Sequence, residues 1–97
     1  MVVFELTFPV VGCSTSSPLR VRLPIEPGDY TITVDAGADV EIKRCVRADD
    51  DPTWSSGSAV DVTAGAFTIE AVTDRRLLAD VIVTADAPIE VCRIELA

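Results

Sequence analysis

Leu19-Arg20-Val21-Arg22-Leu23-Pro24-Ile25, then the turn Pro27-Gly28-Asp29, then Tyr30-Thr31-Ile32-Thr33-Val34, is the stretch that decides the fold. Leu19, Val21, Leu23 and Ile25 alternate with Arg20 and Arg22, the two-residue period of a strand with one buried face. Pro24 has no N–H to give to a ladder, so this strand is expected to lie at a sheet edge or to end there. In the turn, proline presets φ and glycine tolerates a positive one. The alternation then resumes, with Tyr30, Ile32 and Val34 inward against Thr31 and Thr33.

The same period runs outward in both directions. Upstream, Val2 to Phe8 reads as a strand with Phe4, Leu6 and Phe8 on one face, followed by a Gly- and Ser-containing loop from Pro9 to Pro18. Downstream, Asp35-Ala36-Gly37-Ala38 turns into a strand with Val40, Ile42 and Val46 inward and Glu41, Lys43, Cys45 and Arg47 opposite. Arg44 falls on the inner side, which predicts an end or a bulge there. Asp49 to Gly57 is a polar loop, Val60 and Val62 begin a short strand, and Ala64-Gly65 turns it. Phe67, Ile69 and Ala71 alternate with Thr68 and Glu70, and Asp74-Arg75-Arg76 is a polar turn. Leu77 to Ala85 is almost continuously apolar, as in a strand buried on both faces or lying at a contact. After Asp86-Ala87-Pro88, Ile89 to Leu96 closes the chain with a bulge expected near Cys92.

These are about eight short strands with little or no helix. The pattern predicts an all-β fold, a two-sheet antiparallel β-sandwich of jelly-roll or immunoglobulin-like type. The 97 residues suit one domain: 1–18 as an amino-terminal strand and Ser-rich loop, 19–97 as the sandwich body. Two echoes suggest a duplicated hairpin plan: Gly28 to Ile32 parallels Gly65 to Ile69, and Asp39 to Ile42 parallels Pro88 to Val91.

Composition removes several function classes. Apolar residues make up 48%, enough to fill a core, yet only Phe4, Phe8, Tyr30, Trp54 and Phe67 are aromatic. Val, Ile, Leu and Ala must supply most of that core, and the β-branched ones suit a pleated surface. The net charge of −8 argues against nucleic acid, whose binding depends on cations displacing condensed counterions. An anionic membrane surface is disfavoured for the same reason. No stretch approaches the length that spans a bilayer. There is no histidine, so neither Ser–His nor Cys–His activation of a nucleophile is available within the chain. Val10-Val11-Gly12-Cys13 resembles a lipoprotein signal, but Glu5 and Pro9 interrupt the apolar run before it and no Lys or Arg precedes it; it reads as strand and loop.

Few constellations carry chemistry. Asp49-Asp50-Asp51 is the one metal candidate, since hard cations take carboxylate oxygens. The run lacks the alternate spacing and the glycine of a compact calcium loop, and a solvated turn accounts for it. Trp54, beside it, is a candidate interface anchor or sugar platform. Tyr30, the residue to complete such a platform, is placed inward by alternation. Glu5, Glu41, Glu70, Glu90 and Glu95 fall at alternating strand positions, as on a solvated face, and no enzymatic activity and no cofactor are expected. Cys13, Cys45 and Cys92 match neither a disulfide framework nor a zinc site and read as free thiols, with a Cys45–Cys92 bridge open should their strands pair.

From Leu19 onward the chain resembles the small all-β virion proteins of tailed bacteriophages. The resemblance rests on Pro27 to Ile32, Ala38 to Ile42, the Trp54 loop, Thr63-Ala64-Gly65 and the closing Ile89-Glu90-Val91. It implies a jelly-roll or immunoglobulin-like subunit that coats, cements or connects capsid and tail, in a virion assembled in the host cytoplasm. Its partners would be other virion structural proteins and further copies of itself. A positive mean hydropathy fits a subunit whose outer surface is partly covered. Two other readings stay open: a carbohydrate- or receptor-binding module, and an accessory domain of a bacterial surface assembly.

Overall fold

The computed structural model describes residues 1–12, 17–73 and 75–97, and there the chain forms eight strands and no helix. They are β1 (Val2–Glu5), β2 (Leu19–Pro24), β3 (Gly28–Val34), β4 (Asp39–Arg47), β5 (Ser58–Val60), β6 (Ala66–Ile69), β7 (Arg76–Thr84) and β8 (Cys92–Leu96). The lipoprotein-like Cys13, the Ser14, Thr15 and Ser16 that follow it, and Asp74 lie outside the described residues.

Two four-stranded sheets form, in the orders β1-β8-β3-β6 and β2-β7-β4-β5, with every pairing antiparallel. β1 pairs with β8, β2 with β7, β3 with β6 and β4 with β5. The chain is thus one long antiparallel ribbon, folded at β4–β5 and wrapped so that its four rungs alternate between two sheets. That is the jelly-roll arrangement. An immunoglobulin-like sandwich joins sequential strands by hairpins within each sheet, whereas here only β4 and β5 are sequential partners.

Alternation places the core between the sheets. Tyr30, Ile32, Phe67, Ile69, Cys92 and Ile94 face inward from the first sheet, Leu23, Ile42, Ala79, Val81 and Val83 from the second, and all are buried. Each large aliphatic or aromatic side chain buried in this way contributes about 1.5–3 kcal/mol. Tyr30 and Phe67 are direct cross-strand partners whose rings stack at 5.5 Å. Ile25 and Ile89, from segments beyond the strands, complete this core.

The edge expected from Pro24 is present, since β2 ends the second sheet. Other expectations give way. β1 stops at Glu5 and its register slips between Val2 and Phe4, so Phe8 is exposed while Phe4 and Leu6, expected on the same face, pack against the core. β4 runs unbroken through Arg44, whose guanidinium reaches across to the Glu70 carbonyl at 3.1 Å. β8 is regular at Cys92, which pairs with Val34, while Ile89 bridges Val10 outside the strand. Of the two echoes, Gly28 to Ile32 and Gly65 to Ile69 turn out to be neighbours, paired through β3 and β6. The other has no counterpart, because Asp39 to Ile42 is strand and Pro88 to Val91 precedes β8.

Candidate functional site

The acidic loop closes on itself. From β4, Arg47 donates through one terminal guanidinium nitrogen to the carbonyls of Ala48 (3.1 Å), Asp49 (3.4 Å) and Asp51 (3.2 Å). The Asp49 carboxylate accepts from Arg76 at 2.8 Å, and that of Asp51 accepts from the Thr53 N–H at 2.9 Å. Asp50 is exposed. Among the described residues no group of three or more Asp, Glu, Cys or His side chains is placed to hold a metal ion.

Trp54 is half-buried in the same loop, with the Arg47 guanidinium 5.1 Å from its ring centre. That cation–π contact staples the loop to β4. The loop then lies over the outer face of the second sheet. Gly57, at φ +87°, comes so close that a Cβ there would sit 3.1 Å from Lys43 Cβ and 3.2 Å from Cys45 Sγ. Cys45 is therefore buried from outside the sandwich while Cys92 is buried within it, on strands of different sheets, and both thiols are free. Burial, and secondarily Asp35, pushes the Cys92 thiol above its ordinary pKa.

Among the described residues, the outer face of the second sheet carries one buried charge. Asp80, 4% exposed, accepts two hydrogen bonds from Arg20, at 3.1 Å from Nε and 2.8 Å from a terminal nitrogen. Arg22 and Lys43 are its direct cross-strand neighbours. The Arg20 hydrogen bonds, reinforced by the positive charges of Arg20, Arg22 and Lys43, hold the Asp80 carboxyl below its ordinary pKa against the opposing effect of burial. The sequence signal for this cluster was an acid inside an apolar strand, beside a strand whose polar face is arginine.

Two long sides of the sandwich remain. On one, an open cleft of about 610 Å³ lies between the β5 and β6 edges, with Tyr30 and Phe67 among its apolar lining and Asp29, Arg44, Asp61 and Glu70 among its polar one. On the other, the amino-terminal segment runs along β8. The Leu6 N–H donates to the Cys92 carbonyl at 2.9 Å, and Val10 and Ile89 exchange two backbone bonds at 2.8 and 2.9 Å. Every exposed large hydrophobic among the described residues lies on this ribbon: Met1 (80%), Val2, Phe8 (70%), Val11 (73%), Val91 and Leu96. Sequence reasoning missed this strip because it carried the alternation of β1 through to Phe8.

No family model, no curated protein and no solved structure matches the chain.

Proposed function

We propose that this protein is a non-enzymatic structural subunit of a phage particle, such as a capsid decoration, cement or head-tail protein. It acts by packing its sandwich against neighbouring virion proteins and further copies of itself, in a particle assembled in the host cytoplasm. The observation that supports the packing role is that the exposed large hydrophobics among the described residues all lie on the amino-terminal segment and on the chain from Val91 through β8. Isolated exposed apolar residues are ordinary on a protein surface, and their gathering on two neighbouring segments is a mark of a contact. The jelly-roll architecture supports the virion reading, being common in capsid proteins, and it serves lectins as well. Against the lectin reading, Trp54 is tied to Arg47 and Tyr30 is buried, so no pair of exposed aromatic rings is offered to a sugar.

Quantitative mass spectrometry of gradient-purified particles, from cells carrying this sequence, tests the proposal. The expected result is a fixed stoichiometry of many copies per particle. Absence from the particles, or turnover of a substrate by the purified chain, overturns it.

A further inference from the structure

The open edge of β6 is stopped at both ends, in two different ways. In an antiparallel ladder, opposite residues alternate between exchanging both backbone bonds and exchanging none, so every second residue of a strand points its backbone groups away from the partner. The Gly65 carbonyl accepts from the Ile32 N–H of β3 at 2.7 Å, whereas Ala66 exchanges both its bonds with Thr63, at 3.0 Å each. Thr68 and Glu70 share the parity of Ala66, so their N–H and carbonyl groups also face away from β3, along the edge of the first sheet. At one end of this row the turn through Ala64 and Gly65 engages Ala66. At the other end the Arg44 guanidinium donates to the Glu70 carbonyl at 3.1 Å. Thr68 lies between the two stops.

We infer that Arg44 is a strap that closes the β6 edge to strand addition. Arg44 leaves β4, in the second sheet, on its inward side, where its cross-strand neighbours are Ser58 and Ala79. Both are small, which leaves room for the long side chain to cross to the first sheet. The guanidinium stands where an added strand would place the N–H that bonds Glu70. Such a strand would have to displace a charge-bearing donor or cover it with backbone, and covering an unpaired charge is costly. Asp29, Asp61 and Glu70 line the same cleft, so the local field favours keeping a cation there. With Ala66 and Glu70 both engaged, the accessible edge is one residue long, and strands are seldom shorter than about three. An inward-pointing charge is one of the ways in which sheets avoid edge pairing. The strap works in this way whether or not the chain is a virion subunit, and it directs association to other surfaces.

Sedimentation velocity of Arg44→Met beside the parent chain, at equal concentrations up to about 100 μM, tests the inference. Methionine keeps an unbranched side chain and removes every donor. The expected result is a variant that unfolds cooperatively and self-associates at least about 10-fold more tightly than the parent. Adding Thr68→Pro is expected to restore the parent's behaviour. Proline removes the outward N–H of Thr68, while the ladder to β3 runs through Phe67 and Ile69, opposite Tyr30 and Gly28. An Arg44→Met chain that associates no more than the parent, or an association indifferent to Thr68→Pro, would overturn the strap. A second reading is made on the parent and needs no variant to fold. Its Thr68 amide is expected to exchange with solvent at least about 100-fold faster than its Phe67 amide. Equal protection of the two would mean that the edge is already covered, leaving the strap nothing to close.

Discussion

The two long sides of this sandwich solve the same problem in opposite ways. Where the β5 and β6 edges face each other, the strands are short and polar groups bridge a gap also lined by Tyr30 and Phe67. Thr68 is held by Asp29 at 2.7 Å, and Arg44 reaches across to the Glu70 carbonyl. On the β1 side the apolar side chains have no such roof. A jelly roll closes its ends by wrapping but still leaves four strand edges: here β1, β5 and β6 are three or four residues long, and β2 carries two arginines and a proline. The difference teaches that, among the described residues, the exposed large hydrophobics gather on the amino-terminal segment and the end of the chain rather than spreading over the surface, as a contact would demand.

Aromatic residues sharpen that contrast most. Phe67, on the polar side, is buried and stacks on Tyr30. Phe67→Ala is expected to cost about 3–5 kcal/mol in urea unfolding, through lost burial and the cavity left behind. A loss below about 1 kcal/mol would mean that the β6 side is not part of the packed core.

The next largest effect lies on the outer face of the second sheet. Asp80→Ala is expected to cost about 2 kcal/mol, within the range for hydrogen bonds to charged groups, because the mostly exposed Arg20 can recover water. The pH dependence has a definite sign. The folded carboxyl titrates below its ordinary value, so its contribution is fully present above about pH 4 and fades as pH falls through the folded value. In Arg20→Met, the main group holding that value down is gone and burial pushes it up. Acid unfolding should then begin at a higher pH than in the parent, and an unchanged acid midpoint would show that Arg22 and Lys43 suffice.

Much of this was legible in the sequence, and the gaps have physical causes. Period-two alternation assigns a face, and it placed Leu19 to Ile25 and Tyr30 to Val34 correctly. Pro24 also marked an edge, because a missing donor is a local property. Alternation does not name a strand's neighbour. The wrap pairs Val2 with Glu95 and Leu19 with Val83, partners brought together only by the whole fold. Arg44 looked like a strand end because its inward position ignored the length of the side chain, which escapes at the open side of the sandwich. The Asp49–Asp51 run read as a solvated turn, and what local spacing did not bring to it are Arg47 at its carbonyls and Arg76, 27 residues on, at the Asp49 carboxylate. Cys45 was assigned to the outer face correctly, yet its burial depends on Gly57 folding back over it.

A smaller effect is expected where the β1 side meets the turn after β3. The Asp35 carboxylate accepts from the backbone N–H groups of Glu90 and Val91, at 2.6 and 2.9 Å. Asp35→Ala is expected to cost about 1 kcal/mol in urea unfolding, since water can replace both bonds at these exposed positions. The same change removes one of the two influences raising the Cys92 thiol, so its pKa should fall while remaining raised by burial. Thiol titration with a small alkylating reagent reads the direction, and a rise would exclude Asp35 as a cause.

The smallest effect makes the sharpest test of the contrast. Phe8 is 70% exposed, beyond the end of β1, so its ring gains little from the core of its own molecule. Phe8→Ser is therefore expected to change the unfolding free energy by less than about 0.5 kcal/mol when measured at concentrations low enough to keep the chain monomeric. The comparison with Phe67 matters because both are phenylalanines close to a strand, and a ring that contributes nothing to its own fold is available to a neighbour. A loss above about 1 kcal/mol in the monomer would place the Phe8 ring against its own domain. The apolar strip would then shrink to its two ends, too little surface for a contact along the ribbon.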